Sequence, residues 1–541
     1  MKKVFVQLIL MLPWLCLTGQ QAELLKDINP GPGSSYIIYM TQLGDKVIFQ
    51  ATVTGSDNGP WVTDGTAAGT FMLKKLHSYS GPMVVFKNEV YFSGDDGTTG
   101  LELWKTDGTS EGTVIVKDIF PGSYGSRPGE FTVFNDALYF SGTHPDYGEE
   151  LCVLHVTNGQ SVISIYDITA GTASTKPGWL FPASGTLYFV GRDDRLLYYH
   201  DPSSGVTARY SDAVKPGPTD NPYFADYNCS AYFRASLANP TPGNDYGVQL
   251  WKVLPDGHVL RLSDSFSHNV DLDPSFLTKV GDKLFFAGDI YSFGVELCFY
   301  SGEQYDKPGM TFMARDINPD GHAGLTAAFF SEFKGKLVFA AYNPASGHEL
   351  WVSDGTGPGT KMIKDINPGP VGSELISPVI IGDTLYFSAN DGTGGELWRL
   401  VSPDGQPEKF TNIPDGGAWG PELRRIRKTF VFSASDATHG TELWKMTLSG
   451  STDIQRVTGR SLFRVYPNPA TDHLTVELTE EGRCPVTISL LDISGRKVYE
   501  CTADKRVVTI DNLTAHINPG LYIMKISDSL TEAAASIIVK K

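Results

Sequence analysis

The sequence predicts an all-β chain: a single large β-propeller of eight or nine four-stranded blades, followed by a small immunoglobulin-like β-sandwich. Three observations point there. A tripeptide and turn recur, as Glu102-Leu103-Trp104 before Asp107-Gly108, Glu349-Leu350-Trp351 before Asp354-Gly355, and Glu396-Leu397-Trp398 before Asp404-Gly405; Glu442-Leu443-Trp444 repeats the tripeptide alone. A short apolar strand recurs about every 43 to 53 residues. No segment has a helical period, and self-similarity at a fixed period of this length decides architecture before local propensity does.

One unit reads from residue 82 to 119. MVVF (83–86) and VYFSG (90–94) are strands joined by a Lys87-Asn88 turn, LELWKT (101–106) is a third and TVIVKDI (113–119) a fourth. Strands of about five residues linked by Asn, Asp and Gly turns follow hairpin grammar and make an antiparallel meander. The second strand recurs as VIFQA (47–51), VYFSG (90–94), LYFSG (138–142), LYFVG (187–191), AYFRA (231–235), LFFAG (284–288), LVFAA (337–341), LYFSA (385–389) and FVFSA (430–434). These make nine units, or eight full blades if the degenerate unit at 187–211 does not complete a sheet. Consecutive apolar residues ending in a small one require burial of both strand faces, as between blades packed around an axis. Six tryptophans (Trp61, Trp104, Trp251, Trp351, Trp398, Trp444) share the third-strand slot, which argues for packing. LLKDINPGP (24–32) precedes the first unit and copies a fourth strand and its exit turn, so it is expected to join the last blade and hide an open edge.

Composition bounds the rest. The 57 glycines and 33 prolines lie among apolar runs and read as turns. A net charge of −17 repels phosphate backbones, so no nucleic-acid partner is expected. Lys2 and Lys3 before an apolar run from Val4 to Leu17 have the layout of a secretory signal peptide over residues 1–22, cleaved after Gly19 or Ala22. Leu15 before Cys16 argues against lipidation, and no later stretch is a transmembrane segment. Cys152 and Cys298 occupy the Trp slot as small hydrophobes; Cys484 and Cys501 lie on neighbouring expected strands and could pair. No disulfide framework is expected from so few thiols.

The repeat resembles the ELWxxDGT repeat proteins of bacteria, whose core is written ELWxSDGTxxGTxLVKDI. ELWKTDGTSEGTVIVKDI (102–119) and ELWVSDGTGPGTKMIKDI (349–366) match nearly every position, WVTDGTAAGTFMLKKL (61–76) lacks the opening Glu-Leu, and LLYYHDPSSGVTARYSD (196–212) departs. The resemblance spans roughly 22–457 and implies a secreted or surface-exposed propeller, here residues 23–459, with no assigned biochemical role.

The composition changes after Gly459. SLFRVYPNPATDHLTVEL, VTISLLDISGRKVYE, VVTIDNLTAHINPGLYIMKISD and ASIIVKK describe a β-sandwich over 460–541, with Pro467 and Pro469 fixing an extended approach. Tyr466-Pro467-Asn468-Pro469, Gly495-Arg496, Pro519-Gly520-Leu521-Tyr522 and Lys540-Lys541 make this module similar to the type A C-terminal sorting domain of the type IX secretion system. The resemblance implies the type IX machinery as partner, passage through the periplasm, and a protein secreted or attached to the outer surface, with the module commonly removed there.

Catalytic chemistry is not evident. HExxH, GxSxG, CxxC pairs and phosphate loops are absent from the sequence, so no catalytic residue, cofactor or metal is assigned. Asp316-Ile317-Asn318-Pro319-Asp320-Gly321 alternates oxygens like a calcium loop, but Ala327 stands where the closing acid belongs and the stretch copies the repeat's exit turn. His348 and His439 take a variable loop position. Loops differ most at RDDR (192–195), ASLANPTPGNDYG (235–247) and GDIYSFG (288–294), and function on rigid β scaffolds concentrates on such loops. Tyr246, Tyr291 and Phe293 there are candidates for a ligand face that stacks sugar or peptide. The expected function is a non-catalytic propeller binding an unknown extracellular protein or glycan. The alternatives are a propeller glycosidase or lyase with paired carboxylates, and a structural envelope scaffold.

Overall fold

All nine recurring apolar strands are second strands of separate antiparallel sheets, running from Lys46–Val53 in the first sheet to Thr429–Asp436 in the ninth. The structure is a computed structural model. It describes residues 22–448, except 54–56, 218–220, 241–246, 255–256, 263–270, 291–292, 303–310, 320–323, 326–328, 414–415 and 419–421. Beyond 448 it describes 463–466, 473–478, 486–491, 497–503, 507–510, 520–527 and 532–539. Most of the expected signal peptide lies outside the described residues, as does Cys484; Cys501 is a free thiol.

Seven sheets have four strands in simple meander order. In the fifth and ninth the first strand is split in two, Val214–Pro216 with Ala225–Tyr227, and Gly416–Gly417 with Leu423–Ile426. The degenerate unit completes a sheet like the others, spanning Pro177–Ala183 to Val206–Ser211. Hairpin turns use the primed conformation, with Lys87 and Asn88 both at positive φ, which matches strand twist.

Each sheet buries one face against the sheet before it and the other against the sheet after it, so that nine apolar cores alternate with nine sheets. Phe92 and Trp104 fill the core between the first and second sheets, while Phe140 and Cys152 serve that between second and third. The series returns on itself: Val47, Phe49 and Trp61 of the first sheet share a core with Ile426, Val431 and Leu443 of the ninth. Glu23–Lys26 pairs antiparallel with Gly440–Thr447 and supplies the ninth sheet's fourth strand. Among the described residues there is no helix, and the arrangement is propeller-like.

The repeated residues each have a structural task. The Glu of the third strand is buried and its carboxylate holds the turn that leads into the next sheet. Glu102 accepts the N–H groups of Ile119 (3.1 Å), Phe120 (2.9 Å) and Ser126 (2.9 Å) and the Ser126 hydroxyl. Glu349 accepts from Ile366 (2.9 Å), Asn367 (3.2 Å) and the Ser373 hydroxyl (2.9 Å). Glu442 does the same for Ile28 (2.7 Å) and Asn29 (3.3 Å), so one clamp spans the junction between the two ends of the series. Glu150 and Glu296 have fewer partners, Thr175 (2.8 Å) and Ile317 (3.0 Å), and each keeps one buried oxygen with no partner among the described residues. Burial accordingly pushes both carboxyls up to about 7.

The Leu and Trp of the tripeptide pack into the cores. The Asp-Gly-Thr loop is tied by its own side chains: the Asp107 carboxylate accepts the Thr109 N–H (2.9 Å) and hydroxyl (2.6 Å), and the Thr106 and Thr113 hydroxyls meet at 2.7 Å. A Cβ on Gly112 would stand 2.1 Å from the Asp107 carboxylate, which explains the motif's second glycine. In the fourth sheet His200 replaces the threonine and bonds Thr207 through Nδ1 at 2.7 Å, its burial lowering the imidazole to about 4.

After Gly459 the described strands form two sheets around one core. Phe463–Tyr466, Leu474–Leu478 and Val507–Ile510 make one; Lys497–Ala503, Val486–Leu491, Gly520–Ser527 and Glu532–Val539 make the other. Leu474, Val476, Ile488, Leu490, Met524 and Ile537 are buried between them.

Candidate functional site: the inner wall and its aromatic cavity

The first strands of successive sheets pack against one another and form the inner wall, the ninth meeting the first. Most of these strands carry a register break near the start, for example between Ile38 and Thr41, Gly129 and Thr132, Gly178 and Phe181, and Ser275 and Thr278. A residue inside each break adopts left-handed backbone: Tyr39 (φ 57°), Glu130 (φ 58°), Trp179 (φ 52°) and Phe276 (φ 56°), with Tyr223 (φ 47°) equivalent in the fifth sheet. For such side chains this conformation costs on the order of 1 kcal/mol or more. The break also removes ladder partners from local N–H groups, and the neighbouring sheet replaces them. Glu130 accepts the Trp179 N–H at 2.7 Å. The equivalent Glu422 accepts the N–H groups of Tyr39 (3.0 Å) and Met40 (2.8 Å), and burial raises its carboxyl above the ordinary range.

Along the fourth to seventh sheets this wall is aromatic and encloses a cavity of about 350 Å³. Trp179, Phe181, Tyr223, Phe224, Phe276 and Phe330 line it together with Leu180, Leu277, Asn221 and Thr278. The rings form a continuous surface: Phe181 on Phe224 at 5.5 Å and 9°, Tyr223 on Phe276 at 5.1 Å, Phe276 on Phe330 at 5.7 Å and 27°. Guanidinium groups approach the rings without lining the cavity. Arg195 lies 4.8 Å and Arg192 5.7 Å from the Trp179 ring centre, and Arg234 5.5 Å from that of Tyr223. Arg192 is paired with Glu130, and the buried Arg234 with Asp273 at 3.0 Å. The lining holds no carboxylate, imidazole, thiol or amine.

Loops that lead into first strands and loops between second and third strands lie at one end of the sheets, because antiparallel pairing sets the start of one strand beside the end of the next. That end exposes Val371 (80%), Tyr36 (69%), Tyr124 (53%) and Phe293 (40%). Phe293 is thus an exposed loop aromatic as the sequence suggested; Tyr246 and Tyr291 lie outside the described residues. Of the divergent loops, 192–195 reaches the cavity through Arg192 and Arg195. His439 is bonded to Asp436 (2.9 Å), and His348 packs on Tyr342 at 5.1 Å. Among the described residues no group of three or more His, Cys, Asp or Glu side chains could hold a metal ion.

Of the sorting-motif residues, Tyr466 is exposed at the end of its strand, Gly520 opens its strand and Tyr522 is buried in the core. Pro467, Asn468, Pro469, Gly495, Arg496, Lys540 and Lys541 lie outside the described residues.

The class of protein follows from these parts: a propeller-like all-β body joined to an export module. Residues 464–540 match the family model of the secretion system C-terminal sorting domain. The tail marks the chain for secretion through the type IX machinery and for attachment to, or release from, the outer surface. No helix among the described residues is long and apolar enough to cross a membrane. A search of curated proteins finds no match. Among solved structures the chain is similar to a puromycin hydrolase, with 13% identity and a TM-score of 0.34, covering 74% of this chain and 58% of that one. It therefore spans little more than half the hydrolase's length. It is similar to PorZ of Porphyromonas gingivalis, described as an essential bacterial surface component of the type IX secretion system, with 11% identity, a TM-score of 0.22 and coverage of 94% and 93%. It is also similar to the uncharacterized protein lmo1340 of Listeria monocytogenes EGD-e, with 10% identity, a TM-score of 0.32 and coverage of 70% and 96%. Overlap this loose carries no inference about activity.

Proposed function

We propose that the chain is an exported, non-catalytic nine-bladed β-propeller that presents a binding face for an extracellular protein or glycan. Its immunoglobulin-like sorting domain delivers it to the cell surface. The observation that carries the binding role is the aromatic cavity on the inner wall, built from strained backbone that neighbouring glutamates hold in place. Natural chains retain such strain where a site needs it. The non-catalytic reading is supported by that cavity's lining, which offers no general acid, base or nucleophile. It is supported also by the repeat glutamates, whose oxygens are engaged in holding turns.

Two measurements test the reading. Fractionation of cells making the full chain or a chain lacking 464–541 should find the first outside the outer membrane and the second retained in the periplasm. The purified full chain on protein and glycan arrays should capture a partner without converting it. Turnover of any captured polymer would overturn the non-catalytic assignment.

A further inference from the structure

We infer that the inner-wall cavity receives an aromatic side chain carried on a basic, extended segment of a partner polypeptide. The inference rests on the binding role just proposed and names the ligand class. The cavity volume of about 350 Å³ is near the lower end of ligand clefts, roughly 300–1,000 Å³, so it suits one bulky side chain with its adjoining backbone.

The lining decides between ligand chemistries. Its polar side chains are Asn221, Thr278 and the Tyr223 phenol. A sugar ring set against Phe181, Phe276 and Phe330 would bury several hydroxyls with too few partners, and unpaired buried hydroxyls are penalised. A cationic head group is no better served. Trp179 and Tyr223 already interact with the guanidinium groups of Arg195 and Arg234, which would repel a second positive charge on the same rings. A neutral ring avoids both penalties and stacks offset or edge-on at the usual 4.5–7 Å. The flanks of the segment are set by long-range charge: the chain's −17 attracts basic residues outside the cavity while its apolar interior takes the ring.

The test uses the full chain and dye-labelled, end-blocked pentapeptides. The probe reads Lys-Gly-Trp-Gly-Lys; one control has Leu for Trp, another Glu for both Lys, and cellotriose and maltotriose are the glycan arms. The Trp peptide is expected to bind saturably, with the Leu peptide at least roughly tenfold weaker and the Glu peptide weaker still in low salt. Phe276→Ala should weaken the Trp peptide at least tenfold, whereas Phe293→Ala on the loop end should not. Should Phe276→Ala not fold, Asn221→Trp at the exposed rim should block the cavity with the same loss. Equal binding of Trp and Leu peptides, tighter binding of either trisaccharide, or no saturation up to about 1 mM would overturn the inference. Surface delivery with partner capture sensitive to Tyr124→Ser and Val371→Ser would then leave the exported-binder reading standing without this ligand.

Discussion

Replacing Glu102 by Gln should loosen the junction between the second and third sheets and little else. The carboxylate is fully buried and receives four donors: Phe120 and Ser126 N–H on one oxygen, Ile119 N–H and the Ser126 hydroxyl on the other. An amide of the same shape can accept for the first pair through its oxygen. Its NH₂ then faces the Ile119 N–H, donor against donor, while the Ser126 hydroxyl can turn to accept. One buried donor is orphaned at about 1–3 kcal/mol, and two remaining bonds lose their charge assistance at about 0.5–1 kcal/mol together, for a local cost of about 2–4 kcal/mol. At a factor of ten per 1.4 kcal/mol, amide exchange over residues 117–127 should accelerate roughly thirty- to several-hundred-fold. Hydrogen-exchange mass spectrometry on matched wild-type and Glu102→Gln protein reads this directly, with peptides from the sixth to eighth sheets as the internal control. Unchanged exchange over 117–127 would refute the clamp, and so would a uniform acceleration throughout the chain.

The other repeat glutamates make a prediction about pH. Burial raises Glu150 and Glu296 from 4.5 to about 7 in the folded chain, so their contribution to stability is complete below pH 4.5 and is lost as pH rises through about 7. The urea midpoint of wild type should therefore fall between about pH 5 and pH 8 relative to the Glu150→Gln/Glu296→Gln double variant, and parallel curves would argue against it. Trp104→Ala empties a core position between the first and second sheets and should cost about 3–5 kcal/mol in denaturant titration. A chain lacking residues 22–26 bares the strand Gly440–Thr447, and size-exclusion chromatography should show concentration-dependent association that wild type lacks.

The sheets were readable because second strands, buried on both faces, keep uninterrupted apolar runs such as LYFSA, which turn residues then delimit. The joining of Glu23–Lys26 to the last sheet was readable from its copied exit turn. The task of the repeat glutamate was not, although a signal existed: Glu102, Glu349 and Glu396 each stand 17 residues before the isoleucine whose N–H they accept, Ile119, Ile366 and Ile413. The cavity was hidden for a different reason. Its residues Trp179, Tyr223 and Phe276 sit at left-handed backbone that aromatic side chains disfavour, and the register breaks beside them destroy the period-two pattern that marks a strand's faces. The loop 192–195 drew notice for its charge, and only the packed chain shows two of its arginines beside Trp179.

The pairing of Glu23–Lys26 with Gly440–Thr447 also imposes an order in time. The earliest strand of the propeller-like body to emerge from the ribosome, or from a translocation pore, has nowhere to dock until more than four hundred further residues have followed it. Until then the body is an unfinished row whose leading strand stays available to chaperones and exporters. The sorting tail lies only a short way beyond the docking strand, so the chain gains its address at nearly the moment it can shut.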